Sequence, residues 1–300
     1  MSASPEILRK AVLPAAGLGT RFLPIAKAVP KEMLPIGDKP VIHYVVAEAV
    51  AAGFTDILIV VSRDKTAIVD YFDRAPELES RLRATGREEQ ADELVRIANQ
   101  ARFHFIRQGE MKGLGDAVLR ARGFVGEEAF ALLLADTVIV DGNDRPGKAA
   151  ALQALAAARA DTGFSAVAVE PVPAEKVGRY GVVGGEECSP GRFVLDAMVE
   201  KPSPEDAPSV RMLSKEAGYG GWAFAARYLF NAGIFRHLES TRPGKNGEIQ
   251  LTDAMAGLMK EEGFCGCRLP GHRLDIGNPA GLFEANRRVL ANSDSQAPSP

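Results

Sequence analysis

The chain predicts an α/β fold: a Rossmann-like, three-layer α/β/α arrangement with a mixed, mostly parallel central sheet and a helical C-terminal part. Three observations carry this expectation. Short runs of branched and aromatic residues alternate with helical patterns through the first half, an order that places parallel strands beneath covering helices. The second half has strand-like runs punctuated by glycine and proline, then helical patterns alone. No proline- or serine-rich linker and no internal repeat interrupts the interior.

In chain order, strands are predicted at Lys10–Leu13, Asp56–Val61, Arg102–Arg107 and Phe130–Leu134. Pro40 at a first turn and Gly53 beyond the last bracket a helix over Val41–Ala52, and a second begins near Lys65. In the charge-dense stretch Glu77–Gln100, Leu78, Leu82, Leu94 and Ile97 recur at helical spacing, predicting an exposed helix or helical pair. Further helices are expected at Gly115–Arg122 and Lys148–Ala160. Strands follow at Ser165–Glu170, Gly181–Val183 and Phe193–Glu200. Ser203–Ala217 is polar and reads as a surface loop or short helix. Helical patterns then run over Ala226–Glu239, Leu251–Glu262 and Pro279–Leu290. Residues 1–292 read as one domain, and Ser293–Pro300 as a disordered tail.

With 300 residues the chain can bury a substantial core. Its formal charge of −3 gives no reason to expect nucleic acid or an anionic membrane as partner. No apolar stretch is long enough to span a bilayer, and Met1–Glu6 lacks the basic and apolar regions of a secretory leader. Cys188, Cys265 and Cys267 are odd in number and form no C-x-x-C. They read as reduced thiols, and the expected location is the cytoplasm. His43, His104, His237 and His272 show no metal-ligand spacing.

Leu13-Pro14-Ala15-Ala16-Gly17-Leu18-Gly19-Thr20-Arg21 is the most informative stretch. An apolar run breaks into a turn whose glycines let the backbone approach a ligand and aim its N–H groups at an anion. Arg21 lies in the turn and Lys31 beyond it, and two cations suit a polyphosphate. A Walker A loop is excluded, because no Gly-Lys-Ser/Thr triplet follows, and Phe22 stands where a dinucleotide fingerprint needs Gly or Ala. By itself a Gly-x-Gly is better read as an ordinary strand-to-helix turn with solvated charges.

The full run, G-x-G-T-R and then P-K at Pro30-Lys31, resembles the N-terminal motif of sugar-phosphate nucleotidylyltransferases, in particular the bacterial UTP–glucose-1-phosphate uridylyltransferase family. The resemblance runs from Lys10 to about Ala285. It implies a nucleotidyltransferase fold, UTP and glucose 1-phosphate as substrates, Mg²⁺ as cofactor, and a homo-oligomer (dimer or tetramer) built through C-terminal helices. It further implies that Ala16, Gly17, Gly19, Thr20 and Glu32 hold the nucleotide, with Arg21 and Lys31 on the leaving pyrophosphate. Alternatives left open are dTTP or another hexose 1-phosphate as substrate, and a non-catalytic paralogue that binds a UDP-sugar and regulates a partner.

Asp136 ends the apolar run Leu132-Leu133-Leu134-Ala135, at the carboxyl end of a predicted parallel strand, where open α/β sheets place ligands. An oxygen donor there suits Mg²⁺; a capping or loop aspartate reads equally well, and the resemblance makes Asp136 the metal residue. Asp275 reads as a helix cap, and the resemblance brings it to the same metal. Gln108 offers one donor and one acceptor, the complement of the uracil N3–H and O4 edge. The match of Gln108-Gly109 and Lys112-Gly113-Leu114-Gly115 to the family implies that Gln108 and Gly113 read the base. Glu200 and Lys201 are adjacent at a strand end, where Pro202 makes termination plausible. The resemblance implies that Glu200 binds sugar hydroxyls, Lys201 the sugar phosphate, and that Tyr180 and Gly181 lie against the sugar. Gly247-Glu248-Ile249-Gln250-Leu251-Thr252-Asp253 also matches the family, although Thr252 or Asp253 reads as a helix cap. The one departure is Gly218–Tyr228, with Ala226 at the usual glycine: a mobile flap or an unusual strand.

Overall fold

The computed structural model describes residues 7–203, 205–207, 209–211, 220–244 and 247–294. The strands of the N-terminal half are β1 (Lys10–Pro14), the two-residue β2 (Pro35–Ile36) and β3 (Lys39–Pro40), β4 (Asp56–Val61), β5 (Arg102–Arg107), β6 (Phe130–Leu133) and β7 (Thr137–Val140). Between them lie α1 (Val41–Ala51), α2 (Thr66–Phe72), α3 (Pro76–Ala84), α4 (Glu88–Asn99), α5 (Leu114–Leu119) and α6 (Arg122–Val125). The chain continues through α7 (Ala150–Thr162), β8 (Ser165–Val172), β9 (Gly181–Ser189), β10 (Arg192–Glu200), β11 (Val210–Arg211), β12 (Gly221–Phe230), α8 (Ile234–Ser240) and α9 (Leu251–Glu262). It closes with β13 (Phe264–Arg268), β14 (His272–Asp275) and α10 (Pro279–Asp294).

One ten-stranded sheet runs in the order β11-β9-β10-β13-β8-β12-β6-β1-β4-β5. Side-chain alternation in β1 shows how it is covered. Ala11 and Leu13 pack with Val41, Val45, Leu152 and Ala285 on one face, whereas Val12 packs with Val118, Val125 and Leu258 on the other. Helices therefore cover both faces, as the three-layer expectation requires. Burial of each such Val or Leu contributes about 1.5–3 kcal/mol.

The sheet is mixed, as expected, with parallel and antiparallel neighbours in nearly equal number. β5, β4, β1 and β6 are parallel neighbours, as are β13 with β8 and β11 with β9, whereas β12 is antiparallel to β6, β8 and β9, and β10 to β9 and β13. Helical crossovers, which parallel pairing needs, are frequent only in the first half. In the second half β9 and β10 are joined by a short turn instead, which makes them antiparallel.

Ala226–Phe230 is strand, not the start of a helix; the helix begins only at Ile234. The segment from Gly221 is a core strand with nearly every residue buried, so the flap reading is also set aside. Gly218 and Tyr219 lie outside the described residues. Within β12 the register against β8 jumps from Phe224↔Val169 to Tyr228↔Val167. Ala226 sits in this bulge at φ +66°, a left-handed conformation that glycine adopts without cost. At the C-terminus, Ser293 and Asp294 extend α10 instead of opening a disordered tail, and 295–300 lie outside the described residues. Within Ser203–Ala217, Val210–Arg211 forms an edge strand on β9, and 204, 208 and 212–217 lie outside the described residues. Among the described residues, no helix is long and apolar enough to cross a membrane.

Candidate active site

Parallel strands β1 and β6 both end beneath the same depression. Ala15 N–H still bonds Val60 O at 2.8 Å; the chain then turns away through Gly17 and Gly19. Gly19 has φ +65° and caps the short 3-10 turn Thr20–Phe22. The chain returns to place Lys31 Nζ 2.5 Å from Asp136 Oδ2. Burial disfavours both charges, yet each is held by its partner. Asp136 and Glu32 keep Lys31 above its usual range, and Lys31 keeps the Asp136 carboxyl below its own.

A cleft of about 440 Å³ opens above this pair, with Ala16, Gly17, Gly19, Thr20, Lys31, Glu32, Gln108, Gly113 and Asp136 in its wall. A second cleft of about 300 Å³ adjoins it and shares Leu114, Leu134 and Glu248. Its wall holds Tyr180, Gly181, Glu200 and Lys201, together with Thr252 and Arg273. The two groups of residues expected for nucleotide and sugar phosphate thus occupy adjoining cavities. Arg21 lines neither; it is exposed beside Gly277, on the loop that follows Asp275.

Glu200 and Lys201 share one pocket because the backbone turns between them. Glu200 is the last residue of β10, and Lys201 has φ +47°, so strand alternation stops there. Lys201 N–H donates to Tyr180 O at 3.1 Å, and Thr252 Oγ1 donates to Glu200 Oε2 at 2.7 Å. Thr252 therefore braces Glu200 and does not cap α9, whose N-terminus carries no side-chain cap. Glu248 stands in the wall of both clefts, and its segment is strapped to the Lys112–Gly115 loop. Ile249 N–H donates to Lys112 O and Gly115 N–H to Ile249 O, at 2.8 and 2.9 Å.

Asp275 reaches the Asp136 region through the pairing of β14 with β7, which sets Asp275 opposite Thr137. Ile276 N–H donates to Asp136 O at 3.1 Å, while Asp275 Oδ1 accepts from Gly277 N–H at 3.0 Å. Asp275 lies in the wall of a different depression from Asp136. Among the described residues no cluster of three or more His, Cys, Asp or Glu side chains stands ready for a metal. One or two carboxylates with room for phosphate oxygens fit Mg²⁺ rather than a cation that demands a full protein cage.

Two residues of this cleft wall are already paired within the chain. Glu32 is 1% exposed, and both of its oxygens accept from Lys65 Nζ, at 2.9 and 2.7 Å. Burial raises the Glu32 pKa and lowers that of Lys65. Both carboxylate oxygens are engaged in this pair, at the wall of the cleft. Gln108 presents no donor: its Nε2 is 2.8 Å from Asp116 Oδ2 and 3.2 Å from Gly113 O.

Lys65 and Arg273 were not foreseen. Arg273 pairs with Glu170 Oε1 at 2.5 Å and stacks 4.5 Å over the Tyr180 ring. The signal for it was present: Arg273 lies two residues before Asp275, on the same face of any strand that carries both.

The family model described as "Nucleotidyl transferase" matches residues 10–292. The UTP–glucose-1-phosphate uridylyltransferase YngB of Bacillus subtilis is 44% identical over 94% of this chain and 89% of its own. A crystal structure of UDP-glucose pyrophosphorylase complexed with UDP-glucose superposes with a TM-score of 0.81 at 38% identity, covering 95% of this chain and 99% of that one. The UTP-bound enzyme from Acinetobacter baumannii gives 0.82 at 35%, over 94% and 93%. The chain belongs to the nucleotidyl transferase family and, within it, to the UTP–glucose-1-phosphate uridylyltransferases.

Proposed function

We propose that the chain transfers UMP from UTP to glucose 1-phosphate, giving UDP-glucose and pyrophosphate. The observation that carries this reading is the pair of adjoining clefts, one walled by the glycine turn, Lys31 and Asp136, the other by Glu200 and Lys201. UTP takes the first and glucose 1-phosphate the second. Relatives named for this reaction, and a neighbour solved with UDP-glucose, support it.

A sugar-phosphate oxygen attacks the α-phosphorus in line, the bond to the β-phosphate oxygen breaks, and pyrophosphate leaves. A phosphate monoester has a second pKa of about 6, so the nucleophile is ionised near neutral pH without a general base. The residues' task is positioning and charge neutralisation. Lys31 takes the charge of the departing pyrophosphate, Arg21 would join it by swinging in from its exposed turn, and Lys201 offsets repulsion between the incoming and attacked phosphates. Glu200, held by Thr252, accepts from sugar hydroxyls. Mg²⁺ would be held by Asp136, with Asp275 approaching from the neighbouring strand, and would supply charge neutralisation on phosphate oxygens.

The reading extends to residues 1–292 as one catalytic domain, a cytoplasmic location, and a dimer or tetramer contacting through α10, on which Phe283 and Leu290 are exposed. The test is release of pyrophosphate from each of four nucleoside triphosphates with several sugar 1-phosphates. Mg²⁺-dependent release with UTP and glucose 1-phosphate is expected, and its absence favours the regulatory paralogue.

A further inference from the structure

We propose that Asp116 is a positioning residue that sets base selection by locking the amide of Gln108. The inference rests on the uridylyl-transfer reading above. Gln108 directly follows β5, is 4% exposed, and lines the nucleotide cleft. Its Nε2 faces Asp116 Oδ2 at 2.8 Å and the Gly113 carbonyl at 3.2 Å. An ionised carboxylate and a backbone carbonyl can only accept, so they fix which end of the amide faces them. The reversed amide would set Oε1 against two acceptors in a buried site, a costly arrangement. With both N–H groups committed, Oε1 is the group Gln108 retains for the cleft.

Neither acceptor can yield easily. Asp116 is 3% exposed, and its other oxygen accepts from Arg120 Nη2 at 3.0 Å. Gly113 has φ +94°, and a Cβ there would stand 2.9 Å from Glu248 Cβ and 3.0 Å from Ile249 O. The loop that supplies the carbonyl is therefore locked against the wall between the two clefts. Asp116 is not in the cleft wall and acts on the base only through Gln108.

A fixed acceptor distinguishes pyrimidines by one atom. Uracil and thymine present N3–H to it, whereas cytosine presents a lone pair at the same place. A site built around a hydrogen bond rejects an analogue that cannot complete it far more strongly than an apolar pocket rejects an extra methyl. The lock thus selects uracil-type bases over cytosine and does not separate UTP from dTTP.

The experiment is steady-state kinetics with UTP and CTP on the wild type, Asp116→Asn and Asp116→Ala, at saturating glucose 1-phosphate and Mg²⁺. Asn keeps the size of Asp116 but can donate to a reversed Gln108 amide. The UTP-to-CTP ratio of kcat/KM should fall by about tenfold or more in both variants, while KM for glucose 1-phosphate stays within about twofold of the wild type. A merely structural role would depress both nucleotides together and leave the ratio unchanged, and that result would overturn the proposal. Calorimetric affinities for UDP and CDP give the same ratio should a variant turn over slowly. A wild type with no turnover of UTP would instead overturn the uridylyl-transfer reading itself.

Discussion

Arg227 and Glu48, in a core strand and a covering helix, form a bidentate ion pair with side chains 0% and 1% exposed. Arg227 Nε and Nη2 donate to the two Glu48 oxygens at 3.0 and 2.9 Å, and Nη2 also donates to Thr137 O at 2.9 Å. The pair therefore ties α1 and β12 to the backbone one residue beyond Asp136. Arg227 directly follows Ala226 within the bulge of β12.

Removal of one partner leaves a buried, unpaired charge, so Glu48→Leu or Arg227→Met alone should cost about 3–5 kcal/mol. The double replacement should recover most of that loss, short of about 1–3 kcal/mol for the orphaned Thr137 carbonyl. Urea unfolding followed by the fluorescence of Trp222, buried in β12, measures both. Equal losses in the single and double variants would contradict this assignment.

Ala226 holds a left-handed backbone at φ +66°. An L-residue there costs about 1–2 kcal/mol, against about 0.5–1 kcal/mol for the extra freedom of an unfolded glycine. Ala226→Gly should therefore stabilise the protein by about 0.5–1 kcal/mol, seen as a higher urea midpoint. A lower midpoint would mean that the bulge carries no such strain.

On the sugar side, a Cβ at Gly181 would stand 2.5 Å from Phe224 Cδ2 and 2.8 Å from Glu200 Oε2. Gly181→Ala should displace Glu200 and raise KM for glucose 1-phosphate about tenfold, a change of about 1.4 kcal/mol, with KM for UTP near the wild-type value. Lys201→Ala should raise the same KM and also slow turnover, because its charge acts in the transition state. Unchanged profiles would remove both from the site.

Cys188 is exposed, whereas Cys265 and Cys267 are buried. Burial raises the Cys265 pKa and pushes the Cys267 thiol up to about 12. At pH 8 about one Cys267 in ten thousand is then thiolate, the reactive form. A disulfide reagent should titrate one thiol quickly in the native protein and three after denaturation. Because the folded pKa of Cys267 lies above its ordinary value of 9.0, its contribution to stability is complete below about pH 9 and is lost as the pH rises toward 12. Three rapidly reacting thiols would contradict the packing around β13.

The N-terminal half was legible because its signals are local. Asp56–Val61 and Arg102–Arg107 are strands over the residues their branched and aromatic content marks. The glycine turn and Asp136 were open to an ordinary reading by themselves, and the family resemblance, carried by local motifs, singled them out. In β12 and β13 the strand state is imposed by neighbours far away in sequence, and Ala-Ala-Arg-Tyr-Leu-Phe suits a helix about as well. The same applies within the site. Glu48 with Arg227, Glu32 with Lys65, and Glu170 with Arg273 are ion pairs between separate elements. The last is 103 residues apart, and no spacing in the chain announces it.

The two-substrate site is tested most directly by following oxygen. Glucose 1-phosphate carrying ¹⁸O in its three non-bridging phosphate oxygens is turned over with UTP, and the products are resolved by ³¹P NMR and mass spectrometry. Attack of the sugar phosphate on the α-phosphorus predicts all three labels in UDP-glucose, one of them in the bridge between its phosphorus atoms, and unlabelled pyrophosphate. Label in the released pyrophosphate, or no labelled UDP-glucose in the presence of Mg²⁺, would contradict it.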